Sequence, residues 1–377
     1  MTRISNPDLT VGAGNKPRWN RPATRRAGFH NAHYMFQRSL SLRAKSVLVL
    51  DSQSDPSLAR NKAVIELTER PEFSGLSLVR DNRILLQHSA PDFPHGQPHS
   101  IQSISKLLAH LMAGRLIMSG QLDPDRKVED YLPEIGSGYR RALLSDVLDM
   151  NVANDFSEDY HDPHADCYAE EAALGWRLTE DHSEPRLLDF ICAITSRDIK
   201  HPGPMIRYNS ANTDLFALIA ERLIPGGVAA MLDDIVQEAG FEHALHISLS
   251  REGVPGLCGG ACLSLPDLAR LGNMLNRVAQ GALEAWNAAY TRRTLLDANK
   301  TLPAPRQHVR YAGQMMSNGR WVGHTGYGGQ VLMTDPESGA VCAYFSVIEN
   351  EAGYCVDYMA RTMDLMADLL DLARMSS

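Results

Sequence analysis

Ser103-Ile104-Ser105-Lys106 sets a hydroxyl and an amine three residues apart, one turn on a helix, so the two side chains share a face. The chemistry this pairing offers is acyl transfer. A serine hydroxyl keeps its proton at neutral pH and attacks a carbonyl only with a base beside it. A lysine fills that role when its amine is neutral, a state that desolvation and neighbouring positive charge favour by lowering its pKa. A serine that opens a helix also has free backbone N–H groups near the point where negative charge develops during attack. The same residues fit an ordinary N-cap serine followed by a solvated lysine, and so short a pattern arises by chance. Its position favours the chemical reading: this is the chain's only S-x-x-K, and it stands where strand-like sequence hands over to an apolar helix.

Two further stretches carry usable groups. Arg207-Tyr208-Asn209-Ser210-Ala211-Asn212-Thr213-Asp214 runs into an apolar helix. Its Tyr208 phenol passes a proton between serine and leaving group if an ammonium lowers its pKa; otherwise Tyr208 packs its ring while Asn212 or Thr213 caps the helix. Gly323-His324-Thr325-Gly326-Tyr327-Gly328-Gly329-Gln330 is a glycine-rich approach to a strand. Such a segment brings backbone N–H groups close to a ligand, with His324 and Thr325 as polar contacts, or is a plain glycine turn. His161-Asp162-Pro163-His164-Ala165-Asp166-Cys167 crowds metal-type ligands together, but it is interrupted by proline and lacks a further histidine at matched spacing. It reads as a polar loop over the pocket. Cys258 and Cys262 lack the partners that complete a zinc site, so no metal and no cofactor is expected.

The elements that must position these groups follow from periodicity. Gly75 to Arg80 and Arg83 to His88 predict a hairpin turning at Asp81-Asn82. Ile104, Leu107, Leu108, Leu111, Leu116 and Ile117 place Ser103 at the start of a buried helix ending near Gly120. Further helices are predicted over 143–150, 186–195, 211–223 and 228–239. A short strand over 259–264, a helix over 266–278, strands over 330–334 and 341–348 about the turn Asp335-Pro336-Glu337-Ser338-Gly339, and a final helix over 357–374 complete the chain. The fold class is α+β. Residues 71–102 and 240–377 form a sheet domain, residues 103–239 a mainly helical domain, and the site lies between them.

Residues 1–70 read as an N-terminal arm packed on the body. No acidic residue lies between Asp8 and Asp51 while Arg18, Arg21, Arg25, Arg26, Arg38, Arg43 and Lys45 accumulate, a pattern shared with transit peptides. Trp19, Phe29, Tyr34 and Phe36 give the arm apolar groups with which to dock. With 44% hydrophobic residues over 377 positions the chain can bury a large core, and its net charge of -8 with no aromatic-interleaved basic run argues against nucleic acid. Six dispersed cysteines read as free thiols, and no apolar run approaches a membrane span. The expectation is a cytoplasmic protein without a membrane partner; a homodimer stays open.

Ser103-x-x-Lys106, Tyr208-x-Ser210 and His324-Thr325-Gly326, in this order and separation, resemble the three active-site motifs of the serine β-lactamases and penicillin-binding proteins. The likeness is nearest to the class C β-lactamase-like esterases and amidases, including the 6-aminohexanoate-dimer hydrolases, and spans roughly residues 70 to 375. Gly120-Gln121-Leu122-Asp123-Pro124, Glu158-Asp159-Tyr160 and Asp267-Leu268-Ala269-Arg270 are among the supporting stretches. The resemblance implies that Ser103 attacks a carbonyl, Lys106 and Tyr208 move protons, and the backbone N–H groups of Ser103 and Tyr327 hold the oxyanion. It places Tyr160 and Glu171 over the pocket, with Glu170 an alternative to Glu171, and Ser210, His324, Thr325 and Gly326 on the substrate. Ser210 stands where β-lactamases carry asparagine and His324 where they carry lysine, which turns the expectation from antibiotics towards small amides or esters. Acyl transfer to an amine or alcohol, and a catalytically silent binding protein of the same fold, are the rival readings.

Overall fold

The computed structural model of the chain describes residues 18–179, Asp181, and residues 183–196 and 203–375. Its centre is a nine-stranded sheet. The strands run in the order Asp51–Ser52, Arg83–Ser89, Phe73–Arg80, Ala340–Ser346, Gln330–Asp335, Val322–Gly326, Met315–Ser317, Arg310–Ala312 and Lys300–Thr301. All neighbours are antiparallel except Asp51–Ser52 against Arg83–Ser89. The hairpin turns where Asp81 and Asn82 both take positive φ, 49° and 63°, the twist that matches right-handed strands.

The central strands are buried on both faces, and the period of two sorts their side chains into two layers. Val79, Leu332, Val341, Ala343 and Phe345 join the core under the helix Leu265–Gln280. Leu76, Leu78, Val331, Met333, Cys342 and Tyr344 join the core under the final helix Val356–Met375 and the helix Lys62–Thr68. Gly272 lets the first of these helices approach closely, since a Cβ there would lie 2.4 Å from Val341.

On the other side of the site the helix Lys106–Met118 is buried nearly all round, packed against Ser210–Leu223, Gly227–Ala239 and Ala288–Asp297. A smaller antiparallel sheet, in the order Ser39–Leu42, Leu245–Ser248, Ala261–Leu263 and His99–Ser100, links the N-terminal segment to the residues just before Ser103. Among the described residues 18–70, Trp19 and, on the helix Pro22–His30, Phe29 pack against Tyr327 and Val347, and two strands and two further α-helices, Ala32–Met35 and Lys62–Thr68, join the sheets and core. Residues 1–17 of the expected arm lie outside the described residues. All six cysteines are free thiols. Among the described residues no single helix is long and apolar enough to cross a membrane; Ser210–Leu223 with Gly227–Ala239 reaches that length only as a pair bent by 96°.

Candidate active site

Ser103 lies in a 3-10 turn, Gln102–Ser105, one step before the α-helix expected to begin with it. Gln102 takes φ 48°, a left-handed conformation that costs a non-glycine residue about 1–3 kcal/mol and must be held by its surroundings. The holding contact is the strand Val322–Gly326. A Cβ at Gly326 would lie 2.6 Å from the Ile101 carbonyl oxygen, so only glycine lets the strand press on the residues before Ser103.

Lys106 is fully buried one turn on. Its Nζ donates to Ser103 Oγ at 3.2 Å, to Ser210 Oγ at 3.1 Å and to the Cys258 carbonyl oxygen at 2.7 Å. Three acceptors match the three N–H bonds of an ammonium and leave no lone pair to accept a proton. Burial works to lower its pKa, Tyr208, Cys258 and the Glu158 carboxylate work to raise it, and the net shift is upward. That direction favours the Lys106 ammonium over the neutral amine that a lysine base needs.

Tyr208 lies beside Ser103 and Lys106, with the ammonium 5.0 Å from its ring centre. Its loop is anchored by the Arg207 N–H on the Met150 carbonyl oxygen and by Asn209 Nδ2 on Asn154 Oδ1. Burial raises the Tyr208 pKa more than Lys106 lowers it, so the phenol rests neutral. Asn209, not Asn212 or Thr213, caps the helix beginning at Ser210, and its side chain makes no capping bond. Glu158 does that work from another part of the chain. It accepts from Ser210 N at 2.7 Å, Ser210 Oγ at 2.8 Å and Tyr160 Oη at 2.7 Å, a carboxylate at a helix N-terminus where the dipole favours it.

The third motif lies inside the strand Val322–Gly326 rather than on its approach. Thr325, Gly326 and Tyr327 line a cavity of about 330 Å³ shared with Ser103, Tyr208, Glu158 and Tyr160. His324 lines neither of the two cavities at Ser103: its Nδ1 meets the Thr325 carbonyl oxygen at 2.6 Å and its Nε2 the Tyr311 hydroxyl at 3.3 Å. Burial drives its pKa down to about 3, aided by the charge of Lys106, so it is a neutral ring that buttresses Tyr311. The Tyr327 ring is gripped by Phe29, by the Arg25 guanidinium 5.9 Å from its centre, and by Tyr160 at 4.9 Å.

A recess of about 40 Å³ continues past Ser103 along Gln102, Trp176, Cys258 and Gly259. Glu171 lines it but is ion-paired with the fully buried Arg177. Glu170 is buried beside Asp214, which accepts from the Cys258 N–H at 3.2 Å. Burial first, then mutual repulsion, pushes the Glu170 carboxyl well up, and burial pushes Asp214 up to about 6, a direction that favours one protonated carboxyl in the pair. Glu170, Asp214 and Cys258 have the donor types of a metal site, with ligand atoms within 4.8 Å of one another, and the charge of the nearby Lys106 opposes a dication there. Glu158 and Asp214 are the functional candidates that sequence reasoning left without a role.

The β-lactamase family profile matches residues 61–361, most of the chain. The chain belongs to the β-lactamase family. Within this family it is 29% identical over 283 residues, 71% of each chain, to the 6-aminohexanoate-dimer hydrolase of Paenarthrobacter ureafaciens. Among solved β-lactamase-like folds it superposes on a Bacillus anthracis protein provisionally assigned as a 6-aminohexanoate-dimer hydrolase, with a TM-score of 0.80, 15% identity and 98% of both chains covered. It also matches EstCE1, a hydrolase with promiscuous acyltransferase activity, at a TM-score of 0.59 and 14% identity over 77% of this chain and 92% of that one. The family and fold are those of β-lactamase-like hydrolases.

Proposed function

We propose that the chain is a serine hydrolase that cleaves a small amide or ester through an acyl-enzyme on Ser103. The observation that carries this reading is the buried Lys106 ammonium bonded at once to Ser103 Oγ and Ser210 Oγ, with Tyr208 beside both and a cavity open to Ser103. In this reading Lys106, saturated as a donor, is not the base. Tyr208 rests as a phenol and in this reading gives its proton to solvent before attack; the Lys106 charge stabilises the resulting phenolate, which takes the Ser103 proton as Oγ attacks the substrate carbonyl. The backbone N–H groups of Ser103 and Tyr327 hold the tetrahedral oxyanion. Collapse breaks the bond to the leaving amine or alcohol, which receives the proton from Tyr208, and a water activated by the same phenolate then releases the acyl group.

Tyr160 and Glu158 support the reading as the frame of this proton path, and Thr325 and Gly326 as its wall. The test is rapid-mixing turnover of short p-nitrophenyl esters, with and without an added amine or alcohol acceptor. A burst equal to the enzyme concentration followed by steady release to water supports the hydrolase. Preferential product formation on the acceptor identifies acyl transfer, and an absence of both burst and turnover leaves a binding protein.

A further inference from the structure

Tyr327, the proposed oxyanion donor, is the first residue beyond the strand Val322–Gly326. Its N–H shares a peptide plane with the Gly326 carbonyl, whose oxygen accepts the Gly329 N–H at 3.1 Å. The next residue is held from both sides by the loop 348–353. Gly328 N–H donates to the Gly353 carbonyl oxygen at 3.1 Å, and the Gly328 carbonyl oxygen accepts the Ile348 N–H at 2.9 Å. The Tyr327 N–H takes no part in these bonds, as suits a donor kept for a substrate oxygen.

That loop is stapled from the N-terminal segment. Arg25, on the helix Pro22–His30, is fully buried, and each of its five N–H groups has an acceptor. Nε donates to Asn20 Oδ1 at 2.8 Å, Nη1 to the carbonyl oxygens of Ile348 and Asn350 at 2.8 and 2.5 Å, and Nη2 to those of Asn20 and Glu351 at 2.9 and 3.3 Å. A saturated, desolvated guanidinium holds its acceptors in place. Asn20 Oδ1 also accepts the Tyr327 hydroxyl at 3.3 Å, so one buried amide joins the staple to the oxyanion residue itself. The Tyr327 ring is closed in by Phe29 on the side of the N-terminal segment and by Tyr160 on the side of the cavity. Resting on the place of Tyr327 in the oxyanion hole, we propose that Asn20 and Arg25 are positioning residues for acyl transfer. Through the Tyr327 side chain and the loop 348–353 they aim the Tyr327 N–H at the carbonyl oxygen where negative charge develops. A donor so aimed contributes about 10²- to 10³-fold in rate, and a small misplacement forfeits part of that.

Arg25 also carries stability, so the test turns on Asn20. Asn20→Ala removes the shared acceptor, and Asn20→Asp restores one for both Arg25 Nε and the Tyr327 hydroxyl. Turnover of a p-nitrophenyl ester is expressed per site counted by fluorophosphonate labelling carried to completion. Asn20→Ala is expected to lower kcat per site about 10- to 100-fold with KM within about twofold. It weakens inhibition by butane-1-boronic acid, whose boron takes Ser103 Oγ as a fourth ligand and mimics the tetrahedral intermediate, by a similar factor, while inhibition by butyramide holds. Asn20→Asp recovers most of the loss. Tyr327→Phe, which deletes only the hydroxyl, lowers kcat per site and boronate affinity together in the same way, and decides the matter if Asn20→Ala yields no labelled protein. A purely structural role lowers the number of labelled sites and leaves kcat per site intact. That result, a loss that Asn20→Asp does not recover, equal weakening of boronate and amide, or a Tyr327→Phe enzyme with wild-type kcat and boronate affinity overturns the proposal. Unlabelled wild type ends the serine-hydrolase reading itself, whereas labelled wild type with an Asn20→Ala variant of unchanged kcat per site ends this inference alone.

Discussion

Replacing Glu158 by glutamine removes one negative charge while keeping the shape of the group that frames the proton path. Ser210 Oγ bridges Glu158 and Lys106, 2.8 Å from one and 3.1 Å from the other, so the two charges are no more than about 6 Å apart. At an effective dielectric of about 20 such a pair interacts by about 3 kcal/mol, equivalent to about two pH units, and solvent in the cavity reduces this to about one to two. The sign follows from the chemistry. Glu158 stabilises the Lys106 cation and opposes the Tyr208 phenolate, raising both groups, so its loss lowers both. If activity requires the phenolate, kcat/KM rises with pH along a single limb, and in Glu158→Gln that limb moves to lower pH by about one to two units. The assay is the pH–rate profile of ester turnover from pH 5 to 10 for both proteins, with plateau kcat falling about tenfold as the charged acceptor of Ser210 is lost. A limb that stays in place, or moves to higher pH, refutes the argument that Glu158 sets the protonation of this pair.

Tyr208→Phe is expected to reduce kcat for amides by about 10²- to 10⁴-fold, with less loss for p-nitrophenyl esters, whose leaving group needs no proton; steady-state kinetics on the two substrate types checks this. Arg25→Ala leaves the carbonyl oxygens of Asn20, Ile348 and Asn350 without their buried donor. Urea denaturation should show a loss of about 3 kcal/mol or more. If a proton rather than a metal holds Glu170 and Asp214 together, chelation by EDTA leaves turnover unchanged; loss of activity on chelation with recovery on adding zinc would assign a metal there.

What the sequence made legible is what local geometry decides. Ser103 and Lys106 are one turn apart whatever surrounds them, and Asp81-Asn82 dictates its turn by its own conformational preferences. The alternation of the strands about 341 and 331 likewise fixes which side chains face each layer. His324 to Gly326 read as a glycine-rich approach because glycines punctuate loops, yet here they lie in a strand of the sheet and let it press on Ile101. The helices Asp166–Ala173 and Ala288–Asp297 were missed because polar residues dilute their period. Glu158, one of the groups that raise the Lys106 pKa, lies 52 residues from Ser210 in sequence, and the sequence alone contains no spacing that joins them.

The central claim is a covalent intermediate on Ser103, and peptide mass spectrometry after fluorophosphonate treatment of wild type and Ser103→Ala tests it most directly. The account predicts one adduct per chain, on the peptide containing Ser103, with labelling and ester turnover both abolished in Ser103→Ala. An adduct elsewhere, or ester turnover that survives in Ser103→Ala, contradicts it.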